Sequence, residues 1–362
     1  MNYFTMHPNI YSTDTPAGLI QLLEQSWVKD LTPGVGKMYI VSGFANYNGG
    51  VRFYDVFSNH IASGGEVIAI FGGSTSQRLS SKQVVEELVN RGVKTYIVNR
   101  KRLVHAKLYG STNDSGDTLI VSSGNFTGPG MTQNVESSIY LDSTTTHASN
   151  FIWTELIDNM LSQNWQCFEL TQANISSSPA MNLLYDELTT VPTLDDTESI
   201  TMVMNLGHSD TARIMANSGT PAFKGSQYFW ISKETFGFFP PLTIRNRRGN
   251  KTTYSCLINL IYEDLGETDT HCRVTFEAEN NFDVRVGTGK LRGTKLASDG
   301  DIITLERQSE KTYSLRIHKK DSPLYDKLSE YLLTFIGHRG KKYGFIENSE
   351  FHDLINPEAP SE

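Results

Sequence analysis

The residues best able to do chemistry in this chain lie between positions 100 and 136. His105 and Lys107 are two positions apart in an alternating run, Val-His-Ala-Lys-Leu-Tyr over residues 104–109. This alternation predicts a β-strand with aliphatic side chains on one face and His105 and Lys107 together on the other. An imidazole can act as a nucleophile or a proton donor, and an ammonium group can neutralise a phosphate oxygen. The pair is therefore a candidate for phosphodiester chemistry.

Further polar residues follow on the next predicted strands. Residues 110–117 are mostly polar and include Gly, which predicts a turn, and Thr118–Val121 predicts a second strand that ends in Ser-Ser-Gly-Asn. Ser123 and Asn125 would meet the His-Lys pair at neighbouring strand ends, where Gly lets the backbone approach a ligand. Glu136 comes later, on a predicted strand over residues 135–141.

A structural role is the main alternative for any one of these residues. A His on an amphipathic strand is more often structural than catalytic, and the spacing His-x-Lys also occurs by chance. His318-Lys319-Lys320 has the same spacing, but Asp-Ser-Pro follows it and no Ser-Gly-Asn lies downstream. We interpret this second copy as a solvated basic patch. The first copy, with its Ser-x-Asn and Glu136, is the functional candidate.

The combination of His105-x-Lys107 with Ser123-x-Asn125 resembles the signature of the phospholipase D superfamily. The Asp that this signature places five residues after the Lys is Thr112 here, and Asp114 and Asp117 are out of register. The departure weakens a lipase interpretation more than a nuclease interpretation, because that Asp is usually considered structural.

The composition is that of an ordinary globular chain. Its 362 residues predict one to three domains, and its hydrophobic and charged contents of 38% and 20% are typical. The N-terminus lacks the basic region and apolar run of a signal peptide, and no segment approaches the roughly 20 apolar residues of a membrane span. Three widely spaced cysteines, Cys167, Cys256 and Cys272, predict free thiols in a reducing cytoplasm. No metal-binding motif is present, so we expect no metal or other cofactor.

The net charge of −8 does not by itself indicate a nucleic-acid partner. Contacts with DNA would have to come from local basic patches, because phosphate binding depends on local Lys and Arg density. Two such patches lie in the second half of the chain: Arg245, Arg247, Arg248 and Lys251, and then Arg339, Lys341 and Lys342. Taken singly, such runs are usually only solvated faces.

The order of predicted elements indicates two domains of different class. Up to residue 170, strands alternate with amphipathic helices, which predicts an α/β domain with a largely parallel or mixed sheet. Its predicted helices cover residues 16–29, 51–62 and 150–162, with another helix capped by Ser80 or Ser81 and ended by Gly92, and its first strands cover 38–41, 66–71 and 93–98. Residues 171–192, rich in Ser, Thr, Asn and Pro, predict a linker. Beyond them, short strands predict an all-β barrel or sandwich, over 200–206, 227–232, 253–262, 271–278, 301–307 and 312–317.

Longer stretches resemble the BfiI group of type IIS restriction endonucleases along nearly the whole chain. These stretches are Gly43–Gly50, Gly72–Ser81, Ser122–Met131, Asp210–Arg213, Gln227–Trp230, Phe238–Gly249 and Phe276–Phe282. The resemblance implies a phospholipase-D-like nuclease domain over residues 1–170 that forms a homodimer. It also implies a B3-like pseudobarrel over 193–362 that binds double-stranded DNA. The linker over 171–192 could be autoinhibitory, because its apolar residues Met181, Leu183, Leu184 and Tyr185 could cover the active site. The expected activity is metal-independent cleavage at a fixed distance from an asymmetric site, with a cognate DNA methyltransferase in the host.

The resemblance and the residues together suggest a role for each candidate. Transfer of a phosphoryl group through a histidine needs a second acid for the departing oxygen, and one chain has a single credible His-x-Lys. A two-fold dimer would supply His105 of the partner subunit as that acid, while the first His105 forms a phosphohistidine. Lys107 and Asn125 would hold the phosphate, Ser123 could add a hydrogen bond, and Glu136 would orient His105.

For DNA recognition, the expected contacts are made by Arg, Asn and Lys side chains beside an aromatic residue. Arg can bridge two acceptors on guanine, and Asn can do so on adenine. The candidates are Arg213, Trp230, Arg247, Arg248, Arg273, Asn280 and Lys341. Trp230 and Arg273 could equally be core and strand-surface residues. Two other function classes stay open: a phospholipase D or phosphatidyltransferase, and a catalytically silent DNA-binding regulator.

Overall fold

The computed structural model describes residues 1–7, 10–13, 18–100, 103–189, 200–248, 251–277, 283–335 and 341–356. The chain divides into two compact units. Unit 1 comprises Met1–Thr190 and Phe236–Thr243, and unit 2 comprises Val191–Thr235 and Ile244–Glu362.

The described part of unit 1 is built on a nine-stranded sheet with the order β2-β1-β8-β7-β6-β3-β4-β5-β9. Its strands are β1 (Tyr3–His7), β2 (Tyr11–Ser12), β3 (Lys37–Ser42), β4 (Glu66–Gly72), β5 (Lys94–Asn99), β6 (Lys107–Asn113), β7 (Gly116–Ser122), β8 (Glu136–Leu141) and β9 (Gln166–Leu170). Strands β3, β4 and β5 are parallel, and the other neighbouring pairs are antiparallel. Of the two predicted alternatives, the mixed sheet is observed and the largely parallel sheet is not.

Short helices connect these strands, and the four predicted helices are among them. They are α1 (Leu19–Glu24, continued by a π-helical turn over Gln25–Lys29), α2 (Tyr47–Gly50), α3 (Tyr54–Ala62), α4 (Lys82–Asn90), α5 (Gly128–Thr132), α6 (Ser143–Ala148) and α7 (Trp153–Leu161). Ser81 caps α4 as predicted, because its hydroxyl accepts a hydrogen bond from Val84 N at 3.2 Å. Gly92 follows α4 with a φ of +87°, where a side chain would be strained.

Helices cover both faces of the sheet around β3 and β6. Tyr39 pairs with Gly110, the neighbour of Tyr109, so the two tyrosines point to opposite faces. On one face the Trp27 ring meets the Tyr109 ring edge-on at 6.4 Å, and on the other Trp153 stacks on Tyr39 at 4.7 Å. Tyr39 and Tyr109 are both fully buried as a result.

The strand that carries Lys107 differs from its prediction in its bounds and in the burial of Lys107. It begins at Lys107, so His105 lies just before it, and Lys107 points into a covered face with only 7% of its surface exposed. The predicted turn over residues 110–117 is wrong, because β6 continues to Asn113 and the chain reverses at residues 114–115. The polar residues stay inside the hairpin because the hydroxyls of Ser111 and Thr118 bond each other at 2.9 Å.

The segment predicted as a linker is part of unit 1 as far as it is described. A 3₁₀-helix spans Pro179–Leu183, and the carbonyl of Leu183 accepts a hydrogen bond from Ser74 N at 2.9 Å. Tyr185 N donates to Ser80 O at 3.1 Å, and Glu187 accepts from the backbone N–H of Tyr47 at 2.7 Å. Residues 190–192 of the predicted linker lie outside the described residues. The autoinhibitory role of the segment stays a prediction.

A short segment from the second half of the chain, Phe236–Thr243, also belongs to unit 1. The buried side chain of Asn48 holds it in place. Its amide donates to the carbonyls of Phe236, Phe239 and Pro240 at 3.0 to 3.2 Å, and its oxygen accepts from Leu242 N at 3.0 Å. The predicted domain boundaries, 1–170 and 193–362, do not include this return of the chain.

Unit 2 contains a second, mainly antiparallel sheet of ten strands within its described residues. The strands are β10 (Ile200–Asn205), β11 (Tyr228–Ser232), β12 (Ile244–Arg248), β13 (Lys251–Tyr262), β14 (Glu267–Glu277), β15 (Asp283–Gly287), β16 (Ile302–Arg307), β17 (Thr312–His318), β18 (Thr334–Phe335) and β19 (Lys342–Glu347). The sheet order is β11-β15-β14-β13-β17-β16-β10-β19-β18, with β12 beside β13 and one parallel pair, β13 and β17. Three short helices accompany it: α8 (His208–Thr211), α9 (Pro323–Ser329) and α10 (Asn348–Ile355). The all-β class is as predicted, and its B3-like topology stays a prediction.

Candidate active site

Four adjacent strands of unit 1 place polar residues at the same end of the sheet, where two strands end and two begin. The strands lie in the order β1-β8-β7-β6 and are antiparallel, so β1 and β7 end where β8 and β6 begin. His7 ends β1, Glu136 begins β8, Ser123 follows β7 and Lys107 begins β6. This geometry brings together residues that are up to 129 positions apart in the sequence, from His7 to Glu136.

The imidazole of His105 and the ammonium group of Lys107 lie together at this end of the sheet. Lys107 Nζ lies 3.0 Å from Nδ1 and 3.1 Å from Nε2 of His105, and 3.1 Å from the His105 carbonyl oxygen. His105 is exposed, whereas Lys107 is buried. An exposed imidazole next to a buried ammonium group is compatible with attack on a phosphate, because a cation can stabilise the negative charge of the reacting group.

The loop after β3 supports the His105 backbone and ring. The Phe44 ring meets the His105 ring edge-on at 6.1 Å. Gly43 N donates to Ala106 O at 3.1 Å, and a Cβ atom on Gly43 would lie only 2.3 Å from the Val104 carbonyl oxygen. Gly43 is therefore required for the close approach of the two chain segments, and any larger residue would displace His105.

Burial and one carboxylate act in opposite directions on Lys107. Burial lowers the pKa of the Lys107 ammonium group because it removes water from the charged form, and the negative charge of Glu136 raises this pKa in part. Glu136, 8% exposed, thus favours the cationic form of Lys107.

Glu136 itself is held by neighbouring polar groups. Its Oε2 accepts a hydrogen bond from the Ser123 hydroxyl, and its Oε1 accepts one from the Asn134 amide at 3.2 Å. Ser123 is fixed in turn, because its hydroxyl oxygen accepts from Ser137 N at 3.0 Å. In the described residues Glu136 makes no hydrogen bond to His105. The predicted orientation of His105 by Glu136 is therefore not seen within one chain, and Lys107 is the group that contacts the imidazole.

Asn125 lies in the same loop as Ser123. Two hydrogen bonds hold this loop in place: the Tyr109 hydroxyl donates to Gly124 O at 2.9 Å, and Phe126 N donates to the Ser42 hydroxyl at 3.0 Å. The side-chain oxygen of Asn125 is buried and has no hydrogen-bond partner in the described part of the chain. An unpaired buried amide is costly, and functional sites are one place where it occurs.

Thr112 stands where the predicted signature has an Asp, and a carboxylate lies opposite it across the hairpin. Thr112 pairs directly with Asp117, and its hydroxyl donates to Oδ1 of that carboxylate. The other oxygen, Oδ2, accepts from Trp153 N at 3.0 Å at the start of α7. Asp117 is out of register along the sequence but directly opposite Thr112 in the sheet.

Sequence reasoning missed His7. It lies directly opposite Glu136 in the β1–β8 pair and is 6% exposed, and neither ring nitrogen has a partner among the described residues. Burial lowers its pKa, and the charge of Glu136 raises it in part. No motif surrounds it; the only signal was the alternation of Tyr3, Thr5 and His7 along a strand.

The second His-x-Lys copy has a different environment. His318 ends β17, is 8% exposed and shares a hydrogen bond of 2.9 Å with the Thr304 hydroxyl. Burial lowers its pKa to about 4. Lys319 forms an ion pair with Asp301 at 3.0 Å, and Lys320 is exposed. The interpretation as a solvated patch is wrong for His318, because its ring is buried on the inward face of β17.

The candidates for DNA recognition in unit 2 differ in their exposure. Arg247 on β12 and Arg273 on β14 are exposed, and Arg213 is half-buried with its Nε donating to Lys224 O at 3.0 Å. Arg248 ends β12, and Asn280 lies outside the described residues. Strand pairing places Trp230 opposite Arg285, and Arg285 opposite Thr275, two residues from Arg273 on the same face.

The structure corrects the prediction for Lys341. This residue is 5% exposed and pairs with the fully buried Asp210 at 2.8 Å. Lys341 Nζ also donates to Trp230 O at 2.5 Å, while Asp210 accepts from Trp230 N at 2.9 Å. Trp230 lies on the edge strand β11, whose outward backbone groups need such partners. Lys341 therefore holds Trp230 in this structure and does not present its charge to solvent.

Arg285 is a residue that sequence reasoning missed. Its guanidinium group lies 5.5 Å from the centre of the Trp230 ring and 5.9 Å from that of Tyr228. It also forms an ion pair with Glu277 at 3.1 Å. Arg285 is half-buried, so part of the cationic and aromatic group that it forms with Trp230 is accessible.

Residues 194–357 match the family model of the metal-independent restriction enzyme BfiI DNA binding domain. No curated protein matches the sequence at a significant level. The described residues include no helix that is long and apolar enough to cross a membrane, and no group of three or more His, Cys, Asp or Glu that could hold a metal ion.

Solved structures give weaker similarities. Nuc, a phospholipase D family member from Salmonella typhimurium, is 12% identical with a TM-score of 0.35, covering 48% of this chain and 99% of Nuc. NucT from Helicobacter pylori is 13% identical with a TM-score of 0.35, covering 47% of this chain and 99% of NucT. Polyphosphate kinase from Porphyromonas gingivalis is 12% identical with a TM-score of 0.31, covering 49% of this chain and 24% of the kinase. These scores are too low to support a functional conclusion.

Proposed function

We propose a nuclease function from the premise that residues 194–357 belong to the family of BfiI-type DNA-binding domains, as the sequence predicted. The chain would be a type IIS restriction endonuclease that hydrolyses DNA phosphodiesters at a fixed distance from an asymmetric site. One observation carries this proposal: the same chain places an exposed His105 against the buried ammonium group of Lys107. Both residues lie at the end of the sheet that also carries Ser123, Asn125 and Glu136. Such a nuclease would require a cognate DNA methyltransferase in its host.

The proposed reaction has two steps. A ring nitrogen of His105 attacks the phosphorus atom, an N–P bond forms, and the bond from phosphorus to one ester oxygen breaks as that oxygen takes a proton. Water then attacks the phosphohistidine, the N–P bond breaks, and the water proton passes to a base. Lys107 and the Asn125 amide would bind the non-bridging oxygens in both steps. The buried position of Lys107 strengthens this interaction because little water screens it.

A metal ion is not needed in this scheme, because Lys107 and Asn125 supply the charge and dipole that a metal would supply. The experiment is digestion of a plasmid library of random inserts in excess EDTA, followed by sequencing of the ends. We expect all ends to lie at one distance from one asymmetric sequence. Cleavage that depends on added magnesium, or ends without a common sequence, would contradict the proposal.

The departing oxygen needs a proton donor. His7 is a second imidazole near the site, but its 6% exposure keeps it away from a DNA strand. We therefore assign the donor to His105 of the partner subunit in a homodimer formed through unit 1. A mixed dimer of wild-type and His105→Ala chains should then be nearly inactive, because it lacks either the nucleophile or the acid in every cycle. Efficient nicking of one strand by the mixed dimer would show two independent sites.

DNA recognition is assigned to unit 2 around Trp230 and Arg273. Arg213, Arg247, Arg248 and Asn280 remain proposed contacts, whereas Lys341 is assigned to the support of Trp230. Arg273→Ala should weaken binding of the specific site by about 1–3 kcal/mol if this residue contacts a base. Competition binding against scrambled DNA of equal length measures the effect. Equal weakening on both DNAs would make Arg273 a phosphate contact.

A further inference from the structure

The strand β1 contributes an unexplained group to the candidate active site. His7 and Glu136 are directly opposed in antiparallel strands, so their side chains lie on the same face of the sheet. Gly18, just before α1, packs against His7: a Cβ atom on Gly18 would lie 3.1 Å from Cγ of the imidazole. His7 is thus enclosed between β8 and the start of α1, 6% exposed.

Neither ring nitrogen of His7 has a hydrogen-bond partner among the described residues. A neutral imidazole carries one N–H donor and one acceptor nitrogen, so at least one buried donor of His7 is unused within the described residues. An unsatisfied buried donor lowers the stability of the fold. Such a cost is understandable if the donor gains a partner in another state of the site.

Glu136 is the group whose partners would change in that state. In the free protein, one of its oxygens accepts the single proton of the Ser123 hydroxyl. In the proposed reaction, Ser123 donates this proton to a phosphate oxygen instead, because a hydroxyl has only one proton to give. Glu136 then loses a hydrogen bond while it remains buried and charged beside Lys107.

We propose that His7 is a positioning residue that takes over this hydrogen bond: when Ser123 turns to the phosphate, the His7 N–H donates to Glu136. The carboxylate then keeps its place and its effect on Lys107 through the reaction. His7 does not touch the DNA, and no proton leaves its ring in this exchange. The inference rests on the proposed nuclease function and extends it to a residue outside the His-Lys and Ser-x-Asn motifs.

The test compares three variants with the wild type in single-turnover cleavage of plasmid DNA. The protein is in excess over the DNA, at a concentration above the dissociation constant of the complex. His7→Phe keeps the ring volume and removes the donor, whereas His7→Gln keeps a donor that cannot be protonated. His60→Gln is the matched control: His60 is also a histidine of unit 1, 1% exposed, but its ring bonds Gly34 N and Gly36 O. Thermal unfolding and binding of the specific site are measured for each.

We expect His7→Phe to lower the cleavage rate by about 10- to 100-fold, the range found when groups that orient metal-site residues are removed. His7→Gln should recover most of the rate, His60→Gln should cut at the wild-type rate, and all three should bind the specific DNA as the wild type does. If His7→Phe does not fold, His7→Leu takes its place in the comparison.

Two results would overturn the inference. Wild-type cleavage by His7→Phe would show that the donor is not used, and an equal loss in His7→Phe and His7→Gln would show that a donor alone is not what the site needs. Failure of the proposed function is seen separately, because the wild type itself would then not cut in EDTA. If the wild type cuts only with magnesium, the same variants are compared with that ion present.

Discussion

The two His-x-Lys sequences of this chain have the same spacing and opposite environments. In unit 1, His105 is exposed and both of its ring nitrogens lie within 3.1 Å of the Lys107 ammonium group. In unit 2, His318 is buried against Thr304, and the Lys two positions later, Lys320, is exposed. The difference arises because Lys107 begins a strand whose faces are both covered, whereas His318 ends its strand. Spacing alone therefore does not distinguish the two copies; the exposure of His105 and the burial of Lys107 do.

Removing each imidazole should give the largest contrast. His105→Ala should lower DNA cleavage by about 10⁴-fold or more, the scale seen when a nucleophile is removed from a concerted site. His318→Gln should cut normally at temperatures where unit 2 is folded, although its melting temperature should fall. Cleavage rates in EDTA and circular dichroism melting curves check both. Comparable loss of cleavage in the two variants would mean that folding, and not chemistry, limits the assay.

The two lysines provide the next contrast. Lys107→Gln should lower the cleavage rate by about 10²- to 10³-fold, because the site loses the cation that stabilises the reacting phosphate. Lys320→Gln should have no effect on the rate, because its side chain is exposed and lies outside the site. Single-turnover rates measure both. A small effect of Lys107→Gln would indicate that another cation binds the phosphate.

The acid stability of unit 2 should depend on His318. Burial lowers its pKa from 6.5 to about 4. Between these values the unfolded chain binds a proton that the folded chain does not bind, so the free energy of unfolding falls as the pH drops from 6.5 to 4. The total contribution is about 3 kcal/mol, because a pKa that differs by one between the folded and unfolded chain corresponds to about 1.4 kcal/mol.

Urea titrations at pH 7 and pH 4.5 measure this effect. The loss of stability between the two pH values should be smaller in His318→Gln, which cannot be protonated, than in the wild type. An equal loss in both proteins would assign the acid sensitivity to other groups.

The smallest expected effect belongs to Ser123. Ser123→Ala should lower cleavage by about tenfold, or about 1.4 kcal/mol, because one hydrogen bond to the phosphate is lost while Lys107 remains. Thr304→Ser, which keeps the hydroxyl that His318 uses, should not change cleavage. A loss in Ser123→Ala as large as that in Lys107→Gln would mean that Ser123 mainly fixes Glu136.

Much of the fold could be predicted because it depends on local patterns. The alternation of strands and amphipathic helices before residue 170 predicted the mixed sheet, and Ser81 and Gly92 predicted the ends of α4. The turn was misplaced because residues 110–117, Ser111 among them, are mostly polar and include Gly, which is typical of a turn. Hydrogen bonds among the hydroxyls of Ser26, Ser111 and Thr118 make these residues compatible with a buried strand. The return of Phe236–Thr243 to unit 1 had no local signal at all, because the side chain that holds it, Asn48, is nearly 190 residues away.

The sequence by itself determined the types and spacings of His105, Lys107, Ser123, Asn125 and Glu136, the change from α/β to all-β structure, and the similarity to BfiI-type DNA-binding domains. Tertiary structure decided which of these groups are accessible and what each one contacts. It buried Lys107, set Asp117 opposite Thr112, used Lys341 to hold Trp230 and brought His7 to Glu136. The physical reason is that periodicity shows which residues share a face of a strand. The partners across that face, and the layer that covers it, depend on how distant segments of the chain pair.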